Sequence, residues 1–340
     1  MSSDKEQVPL PAFAGKVGVL VQPDDGVGPV VELMRGARRA IAIKQFTFTH
    51  PALLDAALAA KQAGVAVRVM PNPHRSSGDR ANDAAFEQLK AGGIEIEWSN
   101  PRFAVTHEKS MVIDERLALI ATFNFCEKYF TQTRDYGLVI EDPAVVAEIL
   151  ACYQADWNRE PFHPAADSTL LWSNNNSRRL MSRFIDGAQQ RLDIQHPKFV
   201  DATILDRLMQ ARSRGVRIRV LCGGRHGISE WDVLDTFASL RMLRQLDVKV
   251  HKQKELRLHA KLLLADGRRA LVGSMNIDRS AFDLRRELGL TMSHPETVHR
   301  LEKVFERDWE SSHHYDPPDP LLAAAHVEDD FPHDPELAHE

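Results

Sequence analysis

The apolar and polar positions of the chain follow two periods, and together they predict strands separated by helices. Short apolar runs that end at a turn or a glycine are typical of strands, and they predict strands at 17–22, 40–48 and 65–70. Between the last two, apolar residues at 53, 54, 57 and 58 have the spacing of one helical face, which stops at Gly64. This strand, helix, strand order favours a parallel pair with a helical crossover.

The same order returns about 150 residues later. A second strand, helix, strand unit occupies 191–221, and Gly215 there takes the place of Gly64. Each unit is later followed by a helix that begins at a proline, Pro143 in the first copy and Pro295 in the second. The repeat is too long for a solenoid, whose units span about 20–50 residues. We therefore expect two similar lobes packed about a pseudo-twofold axis.

The limits of the lobes follow from polar, proline-containing stretches. Residues 158–167 contain two prolines among polar residues and mark the boundary, so the first lobe is predicted at 17–157 and the second at 168–310. Residues 311–340 combine prolines with acids and histidines, which predicts a disordered acidic tail. We expect no functional metal site among the tail histidines.

Composition narrows the class of protein. With 340 residues, of which 43% are hydrophobic, the chain can bury a full core, and its net charge of −5 argues against a dedicated nucleic-acid binder, although a cleft can be locally positive. The three cysteines form no C-x-x-C pair and are expected to be buried free thiols in a reducing compartment. The chain shows neither a signal peptide nor an apolar run of about 18 residues. These features predict a cytoplasmic protein whose contact with a membrane is peripheral.

One motif occurs twice in the same register. Each copy reads H-x-K-x4-D and is followed by a hydroxyl residue, one spacer and an asparagine. A single copy is a weak pattern, but two copies with the same appendage make coincidence improbable. The members of the second copy stand 152 positions after those of the first; the pairs are His107 and His259, Lys109 and Lys261, Asp114 and Asp266, Thr122 and Ser274, and Asn124 and Asn276.

The spacing of the motif predicts which side chains converge. Residues i and i+2 of a strand share a face, so His107 and Lys109 should point the same way. The apolar runs that follow suit a hairpin, whose antiparallel return brings Thr122 and Asn124 back beside them. Each lobe would then contribute one imidazole, one ammonium, one hydroxyl and one carboxamide to a shared active site.

Such a doubled set suits the chemistry of a phosphodiester. Lysine, hydroxyl and amide donors can hold the non-bridging oxygens and oppose the charge that develops in the transition state. One neutral histidine can attack phosphorus and form a covalent phospho-histidine, while the other protonates the leaving oxygen and then activates water or an alcohol. An acid must orient each imidazole. The cationic side chains do the electrostatic work, so we expect neither a metal nor another cofactor.

The two motifs, together with the segment 273–280 and the Glu287–Leu290 stretch, resemble the phospholipase D superfamily of His-Lys-Asp phosphodiesterases. Its bilobal subgroup, which includes bacterial cardiolipin synthases and phosphatidylserine synthases, is the most similar. The resemblance spans residues 17–310. It implies two α/β lobes, each a mixed β-sheet flanked by helices, with the active site at the interface.

The resemblance also implies roles for single residues. His107 is the expected nucleophile and His259 the expected general acid. Position 121 is alanine and position 135 aspartate, where the family usually has glycine and glutamate, so we expect a changed pocket shape with catalysis retained. The implied phosphate-binding residues are Lys109, Lys261, Asn124 and Asn276, assisted by Thr122 and Ser274, and the acids that support the histidines are Asp114, Asp266, Asp135 and Glu287.

The substrate is left open by the residues, because lipids and nucleic acids contain the same diester. The second-half ending and the acidic net charge favour an enzyme that acts on phospholipids, as a phospholipase D or a phosphatidyltransferase, at a peripheral membrane surface. The alternatives are a metal-independent endonuclease acting on nucleic acid and a non-catalytic binding module. The headgroup, the acceptor, the order in which the histidines act and the oligomeric state are not determined by the sequence.

Overall fold

The computed structural model describes residues 12–74, 78–225, 228 and 230–323, and it divides their strands between two mixed sheets. The strands are β1 Gly18–Gln22, β2 Ala40–Gln45, β3 Ala66–Pro71, β4 Glu95–Ile96, β5 Ser110–Ile113, β6 Leu117–Ala121, β7 Thr133–Ile140, β8 Leu170–Trp172, β9 Arg191–Gln195, β10 Arg217–Cys222, β11 Lys249–Lys252, β12 Arg257–Leu258, β13 Leu262–Ala265, β14 Arg269–Gly273, β15 Leu288–Met292 and β16 His313–His314. The helices are α1 Gly28–Arg35, α2 Pro51–Gln62, α3 Asp83–Ala91, α4 Pro143–Asn158, α5 Ser177–Asp186, α6 Ala202–Ser213, α7 Glu230–Gln245, α8 Arg279–Asp283, α9 Pro295–Ser311 and α10 Pro320–Ala323, with a 3₁₀ turn at Glu127–Phe130.

Both sheets are built on the same plan. The first has the order β1-β7-β6-β5-β2-β3-β4, and the second has the order β16-β11-β10-β9-β13-β14-β15-β8. In each, a parallel unit with a helical crossover, β2–β3 or β9–β10, lies beside an antiparallel hairpin, β5–β6 or β13–β14. This arrangement confirms the predicted fold of two homologous α/β lobes with mixed sheets. The element bounds differ from the prediction by a few residues; the strand predicted at 40–48, for example, spans Ala40–Gln45.

The two lobes share one apolar layer. A buried cluster contains Leu138 and Ile140 of β7 together with Leu262 of β13, Leu290 of β15 and Phe305 of α9. Each lobe also has a core of its own between its sheet and its outer helices. Because burial of apolar area is the main favourable term in folding and association, the common layer holds the lobes together strongly.

Polar contacts cross the lobe interface in reciprocal pairs. Arg134 of the first lobe donates to Asp308 of the second from Nε at 2.7 Å and from Nη2 at 3.1 Å. Arg286 of the second lobe donates to Asp156 of the first at 2.8 Å. The backbone follows the same symmetry, since β12 of the second lobe pairs with β7, and Thr106 of the first lobe bridges to Arg286. These twin contacts fix the register of one lobe on the other.

The predicted disordered tail is wrong for the part that the structure describes. His313 and His314 form β16, which extends the second sheet by pairing antiparallel with β11, and Tyr315 packs against the core of that lobe. The backbone of the tail thus gains hydrogen-bond partners at a sheet edge that would otherwise be open. Residues 324–340 lie outside the described part. Among the described residues, no helix combines the length and the apolar character that crossing a membrane requires.

The Arg134–Asp308 pair should be a large contributor to stability, because both side chains are at most 4% exposed. We expect Asp308→Ala to lower the free energy of unfolding by about 3–5 kcal/mol in urea titrations, since it leaves a buried guanidinium without its main partner. Arg35→Ala is the control; it breaks the pair with Glu32, whose side chains are 67% and 69% exposed, and should cost less than about 1 kcal/mol. Equal losses in the two variants would contradict this account.

Candidate active site

The hairpins bring the repeated motif together as its spacing suggests. His107 and Lys109 lie in the extended segment before β5, and Ala121, at the end of β6, donates its backbone N–H to the carbonyl of Lys109 at 2.8 Å. Thr122 and Asn124 therefore follow directly beside the histidine and lysine. The second copy repeats this arrangement at β13 and β14, where His259, Lys261, Ser274 and Asn276 are all buried.

Each histidine is held by an acid of the other lobe. Nδ1 of His107 lies 2.9 Å and 3.0 Å from the two carboxylate oxygens of Glu287, and Nδ1 of His259 lies 2.7 Å from Oδ1 of Asp135. The backbone is tied in the same way, since the N–H of His107 donates to the carbonyl of Arg286 and that of His259 to the carbonyl of Arg134. With Nδ1 engaged, Nε2 is the nitrogen left for chemistry. Neither lobe alone can orient its own imidazole.

The hydroxyl residues hold the acids. Thr122 Oγ1 donates to Asp135 at 2.5 Å, and Ser274 Oγ donates to Glu287 at 2.5 Å. Each hydroxyl also accepts a backbone N–H, from Tyr136 and Leu288 respectively. The resemblance implied that Thr122 and Ser274 assist phosphate binding, whereas the structure places their hydrogens on the carboxylates that orient the histidines.

The two lysines lie beside the imidazoles. Lys109 Nζ donates to the carbonyl of His107 at 2.8 Å, and Lys261 Nζ donates to the carbonyl of His259 at 2.6 Å. Lys261 Nζ is also 2.8 Å from Nε2 of His259. Because an ammonium can only donate, this nitrogen is the acceptor, and Nδ1 carries the hydrogen that Asp135 binds.

The surroundings keep His107 neutral. Burial lowers its pKa well below the usual value, and the nearby charges of Lys109, Arg285 and Lys261 lower it further. The charge that His259 carries when protonated acts in the same direction. Nε2 of His107 has no hydrogen-bond partner among the described residues. A neutral imidazole with an open lone pair is what a nucleophile requires.

The aspartates of the motif are not at the histidines, so the prediction that Asp114 and Asp266 support the imidazoles is wrong. Both lie at hairpin turns, with φ of 53° and 57°. Asp114 accepts the backbone N–H groups of residues 38–40 at 2.6–2.9 Å, and Asp266 accepts those of residues 189–191 at 2.8–3.0 Å. The reason is the spacing, since seven extended residues carry the chain about 20 Å from the histidine. These aspartates pin each hairpin to the start of the neighbouring strand.

Sequence reasoning missed several residues that complete the site. The ring of Phe46 meets His107 edge-on at 5.0 Å, and Tyr129 meets His259 in the same way at 4.9 Å. Both aromatic side chains are buried. Ser173 accepts the backbone N–H of Glu287 at 2.7 Å, and Arg285 lies in the same segment with 6% exposure. The sequence could have indicated Arg285, because it stands two residues before Glu287.

One cluster has the donor atoms of a metal site. The ligand atoms of Glu108, Cys152 and Asp156 lie within 4.8 Å of one another. However, the ammonium of Lys44 is 3.0 Å from Glu108 and 2.8 Å from Asp156. Lys44 therefore already supplies the positive charge that this buried cluster needs.

The sequence is similar to a known family. The sequence model of the family described as cardiolipin synthase, PLD-like domain, matches twice, at residues 30–157 and 181–309. Cardiolipin synthase B of Salmonella typhi is 25% identical over 326 residues, which cover 81% of this chain and 76% of the relative.

Solved structures share the fold. The crystal structure of phosphatidylserine synthase from Haemophilus influenzae aligns with a TM-score of 0.73 at 16% identity, over 91% of this chain and 90% of that one. Polyphosphate kinase from Porphyromonas gingivalis aligns with a TM-score of 0.70 at 18% identity, over 89% of this chain and 49% of that one. Because proteins of different names share the bilobal architecture, the fold alone does not select a substrate.

Asp266→Asn tests the structural role of the motif aspartates. Asparagine tolerates the positive φ but loses the charge, so we expect a loss of about 0.5–2 kcal/mol in unfolding free energy and unchanged cleavage of a chromogenic phosphodiester. Partial burial alone would raise the pKa of Asp266, but the backbone donors outweigh it and lower the pKa. The carboxylate therefore stabilises the fold fully above its unfolded pKa, and the gap between wild type and variant should close as the pH falls below about 4.

Glu287→Gln is the matched control, because it makes the same change at an acid that touches His107. It should lower the rate of cleavage at least about tenfold. A rate loss in Asp266→Asn as large as that in Glu287→Gln would show that the aspartate acts on the chemistry after all.

Proposed function

The chain belongs to the family of cardiolipin-synthase PLD-like domains, and from this premise we propose that it is a phosphodiesterase and phosphatidyltransferase that acts on phospholipids. The observation that supports the proposal is the exchange of acids between the lobes, by which each imidazole is oriented by a carboxylate of the other lobe and has a lysine of its own lobe beside it. Two such imidazoles can divide the work of nucleophile and acid in a displacement at phosphorus.

In the first step, Nε2 of His107 attacks phosphorus with its lone pair. A nitrogen–phosphorus bond forms, and the bond from phosphorus to the headgroup oxygen breaks. For this step His259 takes up a proton from solvent at Nε2, the atom that otherwise accepts from Lys261. It gives this proton to the headgroup oxygen, so the headgroup leaves as an alcohol. Asp135 accepts the Nδ1 hydrogen of His259 and stabilises its protonated form, and Glu287 does the same for His107 as positive charge grows on the attacking ring.

In the second step, His259 acts as a base. It takes the proton of water or of an acceptor alcohol, whose oxygen attacks phosphorus while the bond to Nε2 of His107 breaks. Water gives a phosphatidic acid, and an alcohol gives a new phosphodiester. The cationic side chains of Lys109 and Lys261 oppose the negative charge of the phosphate in both transition states, and Asn124 and Asn276 lie beside them as amide donors.

Three observations support a lipid substrate over a nucleic acid. The matched family is described by cardiolipin synthase, the relative from Salmonella typhi carries the same name, and the net charge of −5 gives the chain no general attraction for nucleic acid. The enzyme would then work at a membrane surface, where the diester is presented at the headgroup level.

A vesicle assay tests the proposal. Purified protein in EDTA, incubated with phosphatidylglycerol or phosphatidylcholine vesicles, should release the headgroup or form a transfer product. His107→Ala and His259→Ala should each lose about 10³-fold or more, because nucleophile and acid act as a unit. The control is His299→Ala, whose imidazole is exposed on α9, and it should keep the wild-type rate.

Two results would contradict the proposal. Oligonucleotide cleavage without any lipid product would make the protein a metal-independent endonuclease. Full activity in His107→Ala would remove the histidine from the reaction.

The rate should rise with pH through about 8. Burial raises the pKa of Glu287 to about 8, although the charges of Lys109 and Arg285 oppose the rise. When protonated, Glu287 donates to Nδ1 and forces the imidazole hydrogen onto Nε2; when ionised, it accepts from Nδ1 and frees the lone pair of Nε2. The kcat/KM profile should therefore increase as Glu287 loses its proton.

Glu287→Gln is the control for the rise in kcat/KM near pH 8, because the amide does not titrate. Its slower reaction should show no rise near pH 8. The assignment of the rise to Glu287 would be contradicted by a wild-type rate that falls between pH 7 and 9. It would also be contradicted by a variant that keeps the same rise as wild type.

A further inference from the structure

The cleft contains a buried cation that the mechanism above does not use. The side chain of Arg285 is part of a residue that is 6% exposed, and its Nε and Nη1 have no hydrogen-bond partner among the described residues. A guanidinium stays protonated at every accessible pH and carries five N–H donors. Burying such a charge without hydrogen bonds is costly, so the unpaired N–H groups of Nε and Nη1 require an explanation.

Arg285 lies two residues before Glu287, the acid that binds His107. Arg286 between them forms an isolated bridge with Thr106, and its side chain binds Asp156 at 2.8 Å. Ser173 fixes this segment by donating to the carbonyl of Arg285 at 2.6 Å and accepting the N–H of Glu287. The charge of Arg285 lowers the pKa of both His107 and Glu287, which agrees with a position beside the imidazole.

The carboxylates nearby offset the charge without binding those donors. Asp278 lies close enough for Arg285 to lower its pKa, but its own partners are Lys198 and the N–H of Ala281. Glu287 accepts from His107 and Ser274. An anion with several oxygens that enters the cleft would satisfy the guanidinium where these groups do not.

The first lobe has no counterpart. The position that corresponds to Arg285, 152 residues earlier, is Thr133, whose hydroxyl donates to Oδ2 of Asp135 at 2.6 Å. Each lobe contributes a histidine, a lysine and an asparagine, but at this pair of positions, both of which the structure describes, the guanidinium belongs to the second lobe. The second lobe therefore contributes more positive charge at these positions than the first.

We propose that Arg285 forms a phosphate subsite supplied by the second lobe alone, in which the guanidinium binds a non-bridging oxygen of the substrate. That the bound phosphate belongs to a phospholipid rests on the proposed function; that Arg285 binds a phosphate oxygen does not. The charge-assisted hydrogen bonds add to those of the lysines and bias the diester toward the second-lobe side of the cleft.

Binding of inorganic phosphate, measured by isothermal titration calorimetry at pH 7, tests the subsite without any turnover. Arg285→Gln should weaken binding about ten- to hundredfold, and Arg285→Thr, which copies the first lobe, should do the same. Arg285→Lys should recover part of the affinity. Arg279→Gln is the matched control, because that arginine is six residues earlier in α8 with its side chain 90% exposed, and the variant should bind phosphate as wild type does.

Circular dichroism and thermal unfolding of each variant separate loss of the subsite from loss of the fold. If Arg285→Gln fails to fold, Arg285→Lys and Arg285→Thr carry the comparison. A folded Arg285 variant series with wild-type affinity, or a wild type that binds no phosphate, would overturn the proposal. If phosphate binds through Arg285 but vesicles yield no headgroup, the subsite stands and the lipid activity falls.

Discussion

The exchange of carboxylates between the lobes is the constraint on which the site depends. Glu287 of the second lobe holds His107 of the first, and Asp135 of the first holds His259 of the second. All four side chains are buried, so an unmatched partner would leave a polar group without solvent or hydrogen bond. Because each histidine is oriented by an acid of the other lobe, the duplicated chain forms one composite site and not one site in each lobe. The shared apolar layer and the twin arginine–aspartate pairs keep the lobes in the register that this exchange requires.

The two ends of the repeated motif lie at opposite ends of a hairpin and have different roles. In the proposed reaction its histidine and lysine end carries the chemistry, while its aspartate end holds the hairpin turn against the start of the neighbouring strand. The hydroxyl residue connects these tasks, because it ties a backbone N–H to the acid that orients the opposite histidine. The two lobes differ at two pairs of corresponding positions: Asp135 of the first lobe corresponds to Glu287 of the second, and Thr133 corresponds to Arg285. An asymmetric reaction, with one nucleophile and one acid, is consistent with an asymmetric pocket.

Much of this architecture was available from the sequence, because a 152-residue offset repeated at His107, Lys109 and Asn124 fixes two lobes and their converging hairpins. The pairing of acids with histidines was not, since it depends on how the lobes pack, and a local pattern is silent on contacts between residues 180 positions apart. The resemblance implied that Asp114 and Asp266 support the histidines, and this is wrong because the extended motif puts both aspartates at the far end of their hairpins. The composition of the tail after residue 311 predicts disorder, but His313 and His314 at its start pair with the edge strand β11, which would otherwise be open.

A crystal structure of the protein soaked with vanadate tests the central claim most directly, because vanadate takes the five-coordinate shape of phosphorus in the transition state. The account predicts one vanadate per chain, placed between Nε2 of His107 and Nε2 of His259, with Glu287 and Asp135 still bound to the two Nδ1 atoms. Two vanadate ions, each held by the residues of a single lobe, or histidines oriented by acids of their own lobe, would contradict it.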